Sequence, residues 1–331
     1  MEINSAHVKK NIFRVVVVIS SLMLILTSCD RRDSEKPTTQ QQSAKTMTKQ
    51  FPVFNGKNAY DYLLKQTSFG PRNPNSTGHL QCLQFLESEL KKSADKVILQ
   101  NFIQQGYNET IHLTNVFAQF KPELTQRVLL LAHWDTRPRA EEDTEPKKRN
   151  LPIIGANDGA SGVAVLLELA KIFKNNPLPI GVDILLTDGE DYGFSGQDGN
   201  TDLYFLGARY FAKTKSQSYT PEYGILLDMI GDRDLQIPLE QNSLRFAPQL
   251  MDIVWTTAEE VAVTNFIRVP GESISDDHLA LNEVGIPTID LIDFQYPYWH
   301  THQDTPDKCS PESLEAVGKV LSAVIYTKLK R

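Results

Sequence analysis

Short, continuous apolar runs constrain this chain more than any other feature of its sequence. They occur at 127–133 (RVLLLAH), 182–187 (VDILLT), 224–230 (GILLDMI) and 286–292 (IPTIDLI), and each has the length of one strand. Apolar runs without polar alternation are typical of strands that are buried on both faces, as in parallel sheets. We therefore expect these segments to form the parallel core of a sheet.

Helical patterns alternate with these runs. Helices are predicted over 76–92, 159–174, 248–262 and 311–330. Four leucines of the first helix lie at helical spacing: Leu80, Leu83, Leu86 and Leu90. Alternation of strands and helices predicts helices on both faces of the sheet. The expected fold class is thus a three-layer α/β/α sandwich around a central mixed, mostly parallel sheet.

The N-terminal segment has the pattern of an export signal. Three basic residues in the first fourteen precede an apolar run over 15–26, which is shorter than the ~20 residues that a membrane-spanning helix needs. The run ends in Leu26-Thr27-Ser28-Cys29, which matches the bacterial lipobox. Residues 1–28 are therefore predicted to be a lipoprotein signal peptide and Cys29 the lipidation site, with an uncleaved signal anchor as the alternative.

The remainder divides into a tether and one domain. Residues 29–50 are polar and predict a disordered tether, whereas residues 51–331 show no repeat or second linker and predict a single domain. The protein would be an exported lipoprotein, anchored to a membrane only by its lipid and facing the periplasm or the cell exterior. A net charge of −7 argues against a nucleic-acid partner. The sequence leaves open whether Cys82 and Cys309 pair.

Ionisable residues cluster where the apolar runs end. His133 closes one run, Asp188-Gly189-Glu190-Asp191 follows the next, and Asp228 lies within the third. Ligand sites of open α/β sheets lie outside the carboxyl ends of the strands. Several acids and histidines gathered at successive strand ends therefore indicate a functional site rather than ordinary solvated turns.

These residue types match what a catalytic zinc site uses, namely carboxylate oxygen and imidazole nitrogen with one position left open. Asp158, in GANDGASG, is a candidate ligand, although a plain helix N-cap is the simpler interpretation of this residue alone. In the adjacent pair Glu190-Asp191, one acid can bind a metal while the other acts as general acid/base. One of His300 and His302 can be a bystander.

The motifs that carry this chemistry resemble those of a known family. They are AHWDTRP (132–138), GANDGASGVAVLLELA (155–170), TDGEDYG (187–193), LLDMIGD (226–232), SDDHLALNEVGIPTIDLI (275–292) and YWHTHQDTP (298–306). Together they resemble the zinc exopeptidases of bacterial leucyl aminopeptidase type. Within these, they are most similar to the glutaminyl-peptide cyclotransferase (glutaminyl cyclase) branch, and the resemblance covers roughly 55–330.

The resemblance implies a role for seven residues of this domain. It assigns Asp158, Asp191 and His300 as ligands of one Zn²⁺ per chain. Glu190 is implied to be the catalytic acid/base, with Asp228 and Asp276 as two further active-site acids. Trp299 is implied to be the aromatic that contacts the substrate beside the metal-binding histidine.

Three positions depart from the family pattern. The second acid of the pair is usually Glu and is Asp191 here, so the metal is expected closer to that strand. Animal cyclases have a His where this chain has Asp290, and a Trp where it has Gly196. The shape of the pocket is therefore less constrained by the resemblance than the metal site is.

Two enzyme activities remain open at this point. A cyclase would convert the N-terminal Gln of peptides or proteins to pyroglutamate and release ammonia. An aminopeptidase of the same fold would remove N-terminal residues, and His133 and Asp228 are the residues it would use to hold a second zinc. The doubled Asp276-Asp277 and the WHT motif favour the cyclase. Phe294, Tyr296 and Tyr298 are candidate pocket walls, and ordinary packing beside a loop is an equal alternative for the two tyrosines. A non-catalytic module is disfavoured because all of the ligands are present.

Overall fold

The apolar runs form the parallel part of one central sheet. In the computed structural model, which describes residues 51–194 and 202–329, the strands are β1 (Lys96–Gln105), β2 (Thr110–Phe120), β3 (Arg127–His133), β4 (Gly181–Thr187), β5 (Tyr223–Asp228), β6 (Ile237–Leu239), β7 (Phe266–Pro270) and β8 (Thr288–Ile292). Strands β4, β3, β5 and β8 lie side by side in that order, and all are parallel. The four predicted strands are confirmed. Strand β5 ends two residues early because Met229 has a positive φ of 47°.

An antiparallel hairpin, which the sequence patterns do not predict, completes the sheet. Strands β1 and β2 pair with each other, and β2 pairs antiparallel with β4, which gives a six-stranded mixed sheet. Strand β1 is mostly half-buried or exposed, so it lacks the apolar run that marks the central strands. Strands β6 and β7 form a separate two-stranded sheet.

Helices cover both faces of the main sheet, as predicted. They are α1 (Gly56–Thr67), α2 (Thr77–Ser93), α3 (Ser161–Asn175), α4 (Leu206–Thr214), α5 (Gln241–Phe246), α6 (Pro248–Glu260), α7 (Asp277–Glu283) and α8 (Pro311–Ala323). Leu130 of β3 faces a core that includes side chains of α1, α2, α3, α6 and α8. Its neighbours Leu129 and Leu131 face α4 and α7 on the other side. This alternation confirms the three-layer sandwich.

Two local predictions require correction. Helix α3 begins at Ser161, because Gly159 has a φ of +97° that cannot continue a helix, and its N-cap is Ala160. Asp158 is therefore not the N-cap of this helix. In α2, Leu86 and Leu90 are buried as expected, but Leu80 is 56% exposed and Cys82 takes the inward position.

Several sequence predictions lie outside the described residues. These are the signal peptide over 1–28, the tether over 29–50 with Cys29, and the position of Gly196. Cys82 and Cys309 are buried, and neither forms a disulfide. Within 51–194 and 202–329, no helix is both long enough and apolar enough to span a bilayer.

Candidate metal centre and active site

The carboxyl ends of the parallel strands bring the predicted site residues together. His133 and Asp228 are the last residues of β3 and β5, and the Glu190-Asp191 pair follows β4. A pocket of about 90 Å³ at this edge is lined by all seven residues predicted for the site in this domain: Asp158, Glu190, Asp191, Asp228, Asp276, Trp299 and His300. Larger cavities of about 590 and 580 Å³ lie elsewhere and include none of these seven.

Asp158, Asp191 and His300 form a buried triad that can hold a metal ion. One ligand atom from each residue lies within 4.8 Å of the other two. The Nε2 atom of His300 is 3.8 Å from Oδ2 of Asp158. Ligand atoms of a tetrahedral zinc, each about 2.0–2.2 Å from the metal, lie roughly 3.3–3.6 Å apart. The spacing of this triad is thus close to that of a zinc site.

Unpartnered polar atoms support the same interpretation. Oδ2 of Asp158 and Oδ2 of Asp191 are buried and have no hydrogen-bond partner among the described residues. Burying a carboxylate oxygen without a partner is costly, and a bound cation removes that cost. The donor set of two carboxylates and one imidazole is also one that zinc accepts, with a fourth position left open. These residues therefore fit a catalytic zinc ion.

The ring of His300 is held by stacking. Its centroid lies 3.6 Å from that of Trp299, with 24° between the planes. Phe294 contacts Trp299 edge-on at 5.3 Å. The Nδ1 atom of His300 has no hydrogen-bond partner among the described residues. A histidine that binds a metal usually has its ring oriented by a hydrogen bond at the second nitrogen, and here Trp299 fixes the ring instead.

The loop that carries Asp158 is held from below by Asp304. The two oxygens of Asp304 accept hydrogen bonds from the backbone N–H groups of Asn157 (2.8 Å) and Asp158 (3.1 Å). The hydroxyl of Tyr296 donates to Asp304 Oδ1 at 2.8 Å. Burial raises the pKa of Asp304 to about 7, with the Asp158 carboxylate adding to the shift. Asp304 thus fixes the backbone of a candidate metal ligand without reaching the pocket.

The acid pair is held in the same way by Asp135. Its Oδ1 and Oδ2 accept hydrogen bonds from the backbone N–H groups of Glu190 (3.1 Å) and Asp191 (3.3 Å). Gly159 makes this arrangement possible, since a Cβ at that position would come within 2.3 Å of the Asp135 carbonyl oxygen. Asp135 therefore joins the loops after β3 and β4 next to the candidate metal ligands.

Asp191 is also held by an arginine. Nη1 of Arg137 donates to Oδ1 of Asp191 at 2.6 Å. Burial by itself would raise the pKa of Asp191, but Arg137 and His300 lower it below its usual range. Asp191 is consequently kept ionised, as a metal ligand must be.

Glu190 occupies the pocket without belonging to the triad. Its Oε2 is 3.7 Å from Nδ1 of His133. Burial raises the pKa of Glu190 well above its usual range, and the neighbouring Asp191 and Asp276 carboxylates act in the same direction, against His133. A carboxyl group with a raised pKa is suited to exchange protons near neutral pH.

A second group of metal-ligating side chains adjoins the triad. Nε2 of His133 is 3.1 Å from Oδ1 of Asp228 and 3.2 Å from Oδ1 of Asp158. Asp158 therefore belongs to both groups, with one oxygen toward each. Burial alone would lower the pKa of His133, but the neighbouring carboxylates of Asp135, Asp158 and Asp228 raise it well above its usual range.

Asp276, which lines the pocket, and Asp290 are two further buried acids. Burial raises the pKa of Asp276 well above its usual range, and the Asp228 and Asp277 carboxylates reinforce the shift. Asp290, which replaces the His of the animal cyclases, is fully buried, and its nearest basic group, Nδ1 of His278, is 3.9 Å away. Burial raises the pKa of Asp290 well above its usual range, and the Asp276 and Asp228 carboxylates act in the same direction.

The backbone is strained at this site. Phe205, Met229 and His300 all line the pocket and have positive φ angles of 59°, 47° and 55°. Side chains other than glycine rarely adopt this region, and such residues concentrate at functional sites.

The aromatic residues divide into two groups. Phe294 and Trp299 line the pocket, as expected. Tyr296 does not, because its ring is buried and its hydroxyl binds Asp304. Tyr298 lies in a neighbouring cavity, with the Lys308 amine 4.9 Å from its ring centroid. Of the two alternatives for these tyrosines, pocket wall or packing beside a loop, the structure supports packing.

Sequence reasoning assigned no role to three residues that hold the site together: Asp135, Arg137 and Asp304. All three lie inside motifs that carried the resemblance, AHWDTRP and YWHTHQDTP. Their roles could not be predicted because their contacts are made to backbone groups or to other loops. No spacing along the chain reveals such contacts.

Comparisons with known proteins agree with this geometry. The profile of peptidase family M28 matches residues 115–325. The chain belongs to peptidase family M28. A Zn-dependent exopeptidase from Parabacteroides distasonis is 39% identical to this M28 chain, with a TM-score of 0.81 over 84% of this chain and 100% of that one. Tannerella forsythia glutaminyl cyclase has the same identity, TM-score and coverage.

Peptidase names also occur among the relatives of this M28 chain. A structure described as a leucine aminopeptidase precursor from Bacteroides thetaiotaomicron is 37% identical, with a TM-score of 0.82 over 84% of this chain and 99% of that one. The resemblance to glutaminyl cyclases and zinc exopeptidases is confirmed, as is the zinc exopeptidase-like fold. The cyclase interpretation fits these relatives at least as well as the aminopeptidase alternative.

The two histidines of the WHTH segment provide a matched pair of variants of this M28 enzyme. His300 is buried within the triad, whereas His302 is 25% exposed and its Nδ1 lies 3.0 Å from Oδ2 of Asp143. We expect His300→Ala to lose bound zinc and activity together, and His302→Ala to keep most of its zinc. Metal analysis of the purified variants tests this. A zinc-deficient His302→Ala with a zinc-replete His300→Ala would show that the ligand is wrongly assigned.

Proposed function

We propose that this chain is a zinc-dependent glutaminyl-peptide cyclotransferase. It converts the N-terminal glutamine of a peptide or protein to pyroglutamate and releases ammonia. One observation carries the proposal: the carboxyl group of Glu190 lies beside two candidate metal ligands with unpartnered oxygens, in a small pocket walled by Phe294 and Trp299. A site of this size admits one side chain and places it against both a metal and an acid/base group.

Asp158, Asp191 and His300 are the proposed ligands of one zinc ion. When bound, zinc supplies a Lewis acid for the γ-amide carbonyl of the substrate glutamine. The side chains of Phe294 and Trp299 contact the methylene groups of that glutamine and exclude water. Asp228 and Asp276 face the same pocket and orient the α-amino group of the substrate.

Glu190 moves the proton in this scheme. The nucleophile is the substrate's own α-amine, so no water needs to be activated. As the amine nitrogen bonds to the carbonyl carbon (Cδ) of the side-chain amide, Glu190 accepts a proton from it, and the bond from that carbon to the amide nitrogen breaks. Glu190 then returns the proton to the departing nitrogen, which leaves as ammonia. The raised pKa of Glu190 suits a group that both accepts and donates a proton in one cycle.

The hydrogen bonds of the site favour one zinc ion. His133 Nε2 and Asp228 Oδ1 are already hydrogen-bonded to each other at 3.1 Å. In contrast, Oδ2 of Asp158 and Oδ2 of Asp191 have no partner among the described residues. The triad therefore needs a cation to satisfy these two oxygens, whereas Nε2 of His133 and Oδ1 of Asp228 already pair with each other.

An aminopeptidase is the second candidate, and one observation favours it. Asp158 presents one oxygen to each group, as a carboxylate that bridges two metal ions would. A two-metal site would activate a water molecule to hydrolyse the first peptide bond. In that case His133 and Asp228 would exchange their hydrogen bond for a second zinc.

Product analysis separates the two enzymes. The cyclase predicts ammonia release from Gln-initiated peptides, an intact peptide bond, and about one zinc per chain in the same preparation. Free amino acid released from Leu-initiated peptides, with two zinc ions bound and no pyroglutamyl product, would overturn the cyclase in favour of the aminopeptidase.

Glu190→Gln should keep its zinc but lower turnover by ~10²–10⁴-fold, the usual contribution of a general acid/base group. Loss of zinc in this variant would identify Glu190 as a ligand instead.

We further propose that the enzyme is an exported lipoprotein. The support is the basic segment, the apolar run over 15–26 and the lipobox that ends at Cys29. Residues 29–50 would then tether the domain, which begins at about residue 51, to the membrane surface. Peptide and protein N-termini outside the cytoplasm would be its substrates.

Replacing the lipobox cysteine tests this localisation. Cys29→Ser should abolish acylation and move the protein from the membrane fraction to the soluble fraction, because Cys29 is the only proposed anchor. Cell fractionation and mass spectrometry of the N-terminal peptide measure both effects. Unchanged membrane retention, with no fatty acid on the wild-type protein, would exclude a lipid anchor.

A further inference from the structure

Arg137 is a fully buried arginine immediately behind the proposed metal site. It follows β3 by four residues, and its side chain has no exposure to solvent. Nη1 donates to the Asp191 carboxylate (2.6 Å) and to the Asp191 backbone carbonyl (3.2 Å). The guanidinium group thus holds both the side chain and the backbone of one residue.

The opposite edge of the guanidinium group is held just as firmly. Nε and Nη2 of Arg137 donate to the two oxygens of Glu141 at 2.7 and 2.8 Å. This is a bidentate arrangement, which fixes the plane of the guanidinium group as well as its position. Nη2 also donates to the hydroxyl of Tyr204, a residue of the pocket wall, at 2.8 Å. The contacts with Glu141 and Tyr204 therefore fix the guanidinium group of Arg137 independently of its contact with Asp191.

The hydrogen bond from Arg137 to Asp191 determines the orientation of the Asp191 carboxylate in the pocket. Oδ1 lies between Arg137 (2.6 Å) and His300 (3.4 Å). Oδ2 is buried and has no partner among the described residues. With Oδ1 held by a rigid donor, rotation of the carboxylate is blocked and Oδ2 remains available to a cation.

We propose that Arg137 is a positioning residue for the metal ligand Asp191, fixing its carboxylate so that one oxygen is free to bind zinc. The inference rests on the zinc site of the proposed function. Arg137 has two opposing effects on zinc: its charge repels the cation, and its hydrogen bond orients the ligand. The arrangement predicts that orientation dominates, because partners that orient a ligand typically contribute ~10–100-fold to metal affinity.

The chain offers a matched control on the same strand. Arg127, at the start of β3, makes a buried pair with Asp183 through two contacts of 2.6 Å. It lies at the opposite end of the strand from the metal site. Replacement of either arginine removes a buried guanidinium group and leaves carboxylates behind, so general destabilisation is common to both.

Zinc affinity of the metal-free protein is the decisive measurement, by competition with a chelator of known affinity. We expect Arg137→Met to bind zinc ~10–100-fold more weakly than wild type, and Arg127→Met to match wild type. Arg137→Lys should recover part of the loss, since an ammonium group can still donate to Asp191. The visible spectrum of the cobalt-substituted protein should change in Arg137→Met and not in Arg127→Met.

A milder variant covers the case in which Arg137→Met does not fold. Glu141→Gln leaves Arg137 in place but weakens its second anchor, and it should lower zinc affinity in the same direction by a smaller factor. Unchanged or tighter zinc binding in Arg137→Met, or in Glu141→Gln where only that variant folds, would overturn the inference. Circular dichroism of the metal-free variants establishes which of them are folded.

Asp191→Asn distinguishes failure of this inference from failure of the zinc site. If Asp191→Asn binds zinc as tightly as wild type, Asp191 is not a ligand, and both the zinc site and the role of Arg137 are wrong. If Asp191→Asn weakens zinc binding and Arg137→Met does not, only the role of Arg137 is wrong. In the Asp191→Asn background, Arg137→Met should cause little further loss, because the two residues act through one contact.

Discussion

Asp158 and Asp191 lie at the carboxyl edge of the sheet, each only 3% exposed, and each has an oxygen without a hydrogen-bond partner among the described residues. Buried carboxylates in such proximity are tolerated only when cations or donors face them. His300 and Arg137 meet part of this requirement, and a zinc ion would meet the rest. Asp135 and Asp304, which hold the two ligand loops through backbone N–H groups, keep the carboxylates together despite their repulsion.

The core of the fold could be predicted from the sequence because burial on both faces leaves a continuous apolar run in each central strand. The hairpin of β1 and β2 could not be predicted, since β1 is half-buried or exposed and lacks such a run. The site residues could be predicted because parallel strands end at one edge and the motifs resemble those of a known family. The residues that support these site residues could not be predicted from the sequence. Arg137, Asp135 and Asp304 act through contacts between separate loops, and these depend on the tertiary structure.

Cyclisation and peptide hydrolysis require similar sites, and the relatives of this M28 chain include proteins named for both. The difference lies in what occupies the position between His133 and Asp228. A hydrogen bond there leaves a single Lewis acid and a substrate amine as nucleophile. A second metal ion there would supply an activated water molecule. The hydrogen bond of 3.1 Å between these two residues supports the cyclase, whereas Asp158, with one oxygen toward each group, is the feature that an aminopeptidase would need.

The central claim is that the nucleophile is the substrate's own amine and that no water enters the product. Reaction of a Gln-initiated peptide in water enriched in heavy oxygen tests it directly, with mass spectrometry of every product. Cyclisation predicts a pyroglutamyl peptide that has lost one ammonia and contains no heavy oxygen, because the γ-carbonyl oxygen is retained. Heavy oxygen in the carboxyl group of a released N-terminal residue would show that water is the nucleophile and would contradict the account.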